Sequence, residues 1–186
     1  MIVTLERIMR ADKSSLRAWR NDPAVSKWMY TNHEISEAEH NSWFDNMLTD
    51  ESKVYWKIVA DDVAVGAVFL TGIAPDADAC EWGMYLADVD VRGKGVAQAA
   101  CALSFRYAFT ALGVSSVRCE AVAQNETAIG LYESVGYVRT GLKEGAVLRG
   151  NEMLSVVTLE LTRDAWNARE DHVLQRLSEK GVNIHG

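Results

Sequence analysis

One junction constrains this chain more than any other. A β-type run from Ala79 to Ala87 leads into the loop Arg92-Gly93-Lys94-Gly95, and an alanine-rich apolar segment then runs from Gly95 to Leu112 before Gly113. Strand, glycine loop and long helix together leave free backbone N–H groups at a helix N-terminus, where the helix dipole adds partial positive charge. The result is an anion cradle. Gly93 and Gly95 remove side chains that would hold an anion away from the backbone, Val96 and Ala97 open the helix with a slim first turn, and Arg92 and Lys94 add local positive charge. The same glycines would also suit a loop that only needs positive φ ahead of a core helix, so the loop by itself leaves both readings open. The dinucleotide fingerprint has a different glycine spacing, and a Walker loop ends in Gly-Lys-Ser/Thr; neither fits.

The rest of the chain reads as one mixed α/β domain. Its 186 residues suffice for one well-filled core, and only two prolines and no low-complexity linker interrupt them. Periodicity predicts strands at Ile2 to Ile8, Val54 to Ala60, Ala64 to Ile73 after the turn Asp61-Asp62, Ala79 to Ala87, and Val114 to Val122. Two more are expected at Tyr137 to Leu148 and Met153 to Leu161, around Arg149-Gly150-Asn151. Helices are expected at Lys13 to Arg20, after the capping box Ser36/Glu39 with Trp43, Phe44, Met47 and Leu48 on spaced positions, from Asn125 to Val135, and at Arg163 to Lys180. The domain proper is expected to span residues 1–162. Residues 163–186 would then be a helical extension, packed on the same domain or on a second copy in a homodimer.

Charge and cysteine usage narrow the function classes. A formal net charge of −7 disfavours nucleic-acid binding, which needs a surplus of Lys and Arg on one face. Cys80, Cys101 and Cys119 show no metal-ligand spacing with each other or with the four histidines, so no metal is expected. No apolar run reaches bilayer length, and the first residues lack signal-peptide character, so no membrane partner and a soluble, cytoplasmic protein are expected.

Two motifs together carry a family resemblance. Arg92, Gly95 and Ala97 form Arg-x-x-Gly-x-Ala, which resembles the acyl-CoA loop of the GNAT N-acetyltransferases. Asn125-Glu126-Thr127-Ala128-Ile129-Gly130-Leu131-Tyr132-Glu133-Ser134-Val135-Gly136-Tyr137 resembles that family's second motif, Asn-x-x-Ala-x-x-Leu-Tyr-x-x-x-Gly-Phe/Tyr. The resemblance implies the GNAT fold, with a mostly antiparallel mixed sheet splayed at strands 4 and 5 and flanked by helices. It also implies acetyl-CoA as co-substrate.

Acetyl transfer to an amine needs the amine neutral, the carbonyl polarised and the departing thiolate protonated. By resemblance Tyr132 stands beside the coenzyme sulfur as general acid, and a phenol pKa of about 10 lies near that of a thiol. Tyr132 would also suit a buried helix face, and the second motif favours the acid role. Asn125 caps its helix and, by resemblance, also touches the coenzyme; the backbone of Met84, Tyr85 and Leu86 would bind pantetheine and polarise the carbonyl. Glu81, on the central strand shortly before the loop, is the candidate for drawing the proton from the amine, although a strand glutamate is commonly only a solvated face residue.

On the acceptor side, Trp19-Arg20-Asn21, Glu39-His40 and Cys80-Glu81-Trp82-Gly83-Met84-Tyr85 resemble the sugar N-acetyltransferases of pseudaminic acid biosynthesis. That resemblance implies transfer to the 4-amino group of a UDP-amino-dideoxy sugar. Arg20 and His40 would meet its diphosphate, and Trp28 or Tyr30 could stack on uracil. Trp19, Trp43 and Phe44 suit the core as well, and Arg20 could simply complement the end of its helix. A protein N-terminal or polyamine acetyltransferase is the alternative, suited by the acidic run Glu34, Glu37, Glu39, Asp45, Asp50 and Glu51. A non-catalytic module that binds acetyl-CoA is a third reading.

Overall fold

A computed structural model describes residues 1–31 and 33–185. Among the described residues eight strands form one sheet: β1 (Ile2–Arg7), β2 (Lys53–Ala60), β3 (Val63–Thr71), β4 (Ala79–Leu86), β5 (Ser116–Val122), β6 (Val138–Arg149), β7 (Glu152–Thr162) and β8 (Asn183–His185). Their spatial order is β6-β7-β5-β4-β3-β2-β1-β8. Only two neighbouring pairs are parallel, β4 with β5 and β1 with β8. The remaining strands run as antiparallel hairpins and meanders, and the tight turn between β2 and β3 places Asp61 and Asp62 at positive φ. Aspartate tolerates that conformation better than most side chains.

One face of the sheet carries the main core. Val54, Trp56, Ile58, Val68, Leu70, Cys80 and Trp82 alternate onto it, as period-two strands require, and they pack against α4 (Val96–Arg106). Ala99, Ala100 and Ala102 are fully buried, so the small side chains of α4 let the helix lie close to its neighbours. The expected long helix runs unbroken to Leu112 but changes type on the way. After Arg106 it loosens into a π-helical stretch, Tyr107–Leu112, and Gly113 at φ 73° ends it. The helix α6 (Arg163–Glu179) packs along α4 and buries Trp166, Val173 and Leu177, and β8 then adds to the sheet beside β1.

The opposite face is covered by α1 (Lys13–Asn21), the single turn α2 (Pro23–Ser26) and α3 (Glu37–Thr49), with Leu16, Phe44 and Met47 as a smaller core. Ser36 caps α3 by accepting from the Glu39 N–H at 3.2 Å, as the sequence suggested. Asp22 caps α2 by accepting from the Ala24 N–H at 2.7 Å, with Pro23 at the first helical position. The remaining helix, α5 (Glu126–Ser134), is capped by Asn125, whose side-chain oxygen accepts from the Ala128 N–H at 3.3 Å.

Candidate functional site

The sheet is open at its centre. β4 and β5 pair only from Ala79 to Glu81 against Ser116 to Arg118; beyond that, Trp82 to Leu86 pair with β3 alone, and Cys119 to Val122 with β7 alone. The two strands therefore diverge, and a cavity of about 960 Å³ lies over the gap. Its walls come from the ends of β4 and β5, from α5, from the loop before α4, and from the segment Arg20 to Thr31. Backbone groups of Met84 and Tyr85 on the β5 side have lost their strand partner, which leaves them available to a ligand in the gap, whereas the Leu86 carbonyl is taken by Arg92.

At one end of the cavity Gly93 and Gly95 take φ of 77° and 96°, conformations that L side chains rarely adopt. Gly95 is the N-cap of α4, and no side chain caps this helix, so its first N–H groups are left for a bound anion. The glycines differ in what surrounds them. A Cβ on Gly93 would meet nothing within 4 Å, whereas one on Gly95 would lie 3.2 Å from Val182 and 3.3 Å from Leu177. Gly95 thus serves close packing against the C-terminal segment as well as an open cradle.

The cations of the loop are less free than its composition suggests. The Arg92 guanidinium donates to the Leu86 carbonyl at 2.9 Å and to the Ala24 carbonyl at 3.4 Å, pinning the loop to β4 and α2. Lys94 does not line the cavity, and Val96 is fully buried in the core. Arg176 and Lys180 of the C-terminal segment do line it, and neither was a site candidate from sequence. Basic residues in a helix's last turn usually read as complements to its dipole, which is why that signal passes unnoticed.

Tyr132 lies in the wall between the diverging strands, 7% exposed, with its ring edge-on to Trp82 at 5.3 Å. Trp82 is itself fixed: its indole N–H donates to the Ser104 hydroxyl at 2.9 Å, and that hydroxyl donates to the Ala100 carbonyl at 2.8 Å. A chain of contacts from α4 through Trp82 therefore sets the position of the Tyr132 ring. Burial pushes the Tyr132 phenol well above its ordinary pKa. The hydroxyl stays protonated throughout the physiological range. Tyr132 is thus a hydrogen-bond donor whose full deprotonation is uphill.

The other end of the cavity is aromatic and mixed in charge. Phe69, Trp28, Tyr30 and Tyr85 line it with Arg20, Lys27, Glu81 and Glu120. The Tyr30 hydroxyl donates to Glu120 at 3.0 Å, and Lys143 donates to the other Glu120 oxygen at 2.5 Å, so Tyr30 spans the cavity mouth from the α2–α3 loop to β5. Lys143 holds the Glu120 carboxyl below its usual pKa, which makes Glu120 a weak base. Glu120 was not a candidate from sequence, because strand alternation alone does not show that β5 parts from β4. Glu81 lies exposed in the same wall. The Arg20 Nε is buried without a partner among the described residues. Phe69 lies so close over Gly83 that a Cβ there would sit 2.4 Å from the ring.

His40 does not reach the cavity. It is buried in the smaller core with its Nε2 donating to the Lys13 carbonyl at 2.8 Å and its ring 5.8 Å from Phe44. It shares a helix face with Phe44 and Met47, four and seven residues on, and that spacing marks a core position. The acidic run on α3 is likewise off the cavity. Asp45 pairs with Arg10 and Lys13, Asp50 with Lys53, and Glu39 with His33.

An open sheet parted between two parallel strands, with an uncapped helix N-terminus at one end of the gap and the Tyr132 phenol in its wall, makes a long ligand site with an anion cradle at one end. The chain belongs to the GNAT acetyltransferases: the model of the acetyltransferase (GNAT) domain matches residues 3–138. It is 32% identical over 115 residues to acetyltransferase PseH of Campylobacter jejuni subsp. jejuni serotype O:2, covering 62% of this chain and 69% of that protein. PseH of serotype O:23/36 matches at 29% over the same length. In fold, the crystal structure of spermidine N-acetyltransferase from Vibrio cholerae in complex with CoA and spermine aligns with a TM-score of 0.81 at 19% identity, over 89% of this chain and 98% of that one. The protein is an acetyl-CoA-dependent N-acetyltransferase. Among the described residues no group of side chains could hold a metal ion, and no helix is long and apolar enough to cross a membrane.

Proposed function

We propose that the acceptor is the 4-amino group of a UDP-amino-dideoxy sugar, UDP-4-amino-4,6-dideoxy-N-acetyl-β-L-altrosamine, with acetyl-CoA seated in the gap between β4 and β5. The observation that carries the acceptor reading is the far end of the cavity. There an unpartnered buried Arg20 Nε sits among flat side chains, a combination suited to a diphosphate and a nucleobase. The resemblance of Trp19-Arg20-Asn21 and Cys80-Glu81-Trp82-Gly83-Met84-Tyr85 to the sugar enzymes supports it, as does the match to acetyltransferase PseH. His40 has no part in this reading.

Bound acetyl-CoA supplies an activated thioester carbonyl. The β4 backbone at Met84 and Tyr85, beside the Leu86 carbonyl that Arg92 holds, would orient and polarise the thioester carbonyl, and the α4 N-terminus with Gly93 to Ala97 would hold the diphosphate. The Tyr132 hydroxyl would donate a hydrogen bond to the leaving sulfur, and Asn125 would keep α5, and so Tyr132, in register. Glu81 would accept the proton from the amine, directly or through water, in preference to Glu120, which Tyr30 and Lys143 already occupy.

A polyamine acceptor is the second reading, favoured by the fold of the V. cholerae enzyme. Against it stand the two cations at the acceptor end, Arg20 and Lys27, and the paired acidic residues that lie outside the cavity. A thiol-release assay against UDP-4-amino sugars, spermidine and N-terminal peptides decides between them. Turnover of the sugar nucleotide at least tenfold above the others is expected; turnover of polyamine or peptide alone would refute the sugar reading.

A further inference from the structure

We infer that the C-terminal segment is part of the coenzyme site, and that Arg176 and Lys180 recognise the ribose 3′-phosphate of coenzyme A. The inference rests on the coenzyme lying in the cavity as proposed above. Coenzyme A carries a diphosphate and a separate phosphate monoester on its ribose. The uncapped α4 N-terminus suits the diphosphate, but the loop brings little free positive charge, because Arg92 is engaged by two carbonyls and Lys94 does not line the cavity. A second phosphate, of higher charge, needs cations from elsewhere.

Arg176 and Lys180 supply them. They stand one helical turn apart on the same side of the C-terminal segment, and both line the cavity beside Gly93 and Gly95. Neither pairs with a carboxylate among the described residues. Among the described residues the Lys180 ammonium donates to the Gly93 carbonyl alone, at 3.3 Å, so it already sits on the rim of the loop. Leu177 and Val182, 1% and 3% exposed, press against Gly95 and fix where these cations stand. In a chain of formal charge −7, two such cations at the edge of an anion cradle form a local exception. The competing account is that both merely complement the C-terminal dipole of α6, and the two accounts part on one measurable ratio.

Calorimetry of coenzyme A and of 3′-dephospho-coenzyme A with the full chain gives that ratio. The wild type is expected to prefer coenzyme A. Arg176→Ala/Lys180→Ala should weaken coenzyme A by roughly tenfold while leaving dephospho-coenzyme A within about twofold, so that the preference collapses. Arg176→Lys/Lys180→Arg should keep it, and a far-UV spectrum and melting curve establish that each variant is folded. Equal weakening of both ligands, or no change in either, would overturn the assignment while leaving the cavity as the coenzyme site. Failure of the wild type to bind either ligand would overturn the coenzyme placement and this proposal with it.

Discussion

Replacing Gly95 with alanine tests the double duty assigned to that residue. Its φ of 96° obliges any L side chain to accept a disfavoured backbone conformation, at about 1–2 kcal/mol. The new Cβ would also stand 3.2 Å from Val182 Cγ2 and 3.3 Å from Leu177 Cδ2, closer than ordinary contact. Both neighbours are buried, so they can give way only by disturbing the core between α4 and α6, at about another 1 kcal/mol. Gly93→Ala is the internal control: φ is 77°, yet its Cβ would point into open space, so only the backbone strain of about 1–2 kcal/mol applies. For a chain of this size 1 kcal/mol moves the melting temperature by roughly 2–4 °C. Differential scanning calorimetry should therefore place Gly95→Ala roughly 2–4 °C below Gly93→Ala, and both below the wild type. Equal melting temperatures, or Gly93→Ala the less stable of the two, would refute the packing argument.

Three further outcomes follow from the site. Tyr132→Phe should lower the single-turnover rate by about 10- to 100-fold with coenzyme affinity in calorimetry changed less than twofold. An unchanged chemical step would remove the hydroxyl from the reaction. Gly83→Ala should drive the Phe69 ring from its seat, costing about 1–3 kcal/mol and raising KM for the acceptor more than for acetyl-CoA, as steady-state kinetics with each substrate varied would show. His40 bears on stability through pH. Burial lowers its folded pKa below the ordinary value of about 6.5, so the unfolded chain binds more protons there. Stability is then highest above pH 6.5 and falls as pH drops through the window between the two pKa values. His40→Gln should flatten that part of a urea-denaturation pH series, and a slope as steep as the wild type's would locate the titrating group elsewhere.

Most of the scaffold is legible because it depends on local rules. Alternation fixed the strands to within a residue or two, and Ser36 and Asn125 announced helix starts that their side chains make in fact. What escaped was set by partners distant in sequence. β8 is three residues long and polar at both ends, too short to show a period, and it exists because β1 offers it an edge. The widening after α4, from Tyr107 to Leu112, has no local marker. His40 had a readable signal in its spacing to Phe44 and Met47, but its neighbour Trp43, 38% exposed, looked the better core residue. Arg92 and Lys94 were legible as charges and not as contacts, since the Leu86 and Ala24 carbonyls that engage Arg92 come near only once β4 and α2 are packed. Glu120 acquires its place only where β5 leaves β4.

A crystal structure of the protein with coenzyme A tests the account at its centre. The diphosphate is expected against the backbone of Gly93 to Ala97, pantetheine along Met84 to Leu86, and the sulfur within hydrogen-bonding reach of the Tyr132 hydroxyl. Coenzyme bound outside the gap between β4 and β5, or a sulfur turned away from Tyr132, would contradict it.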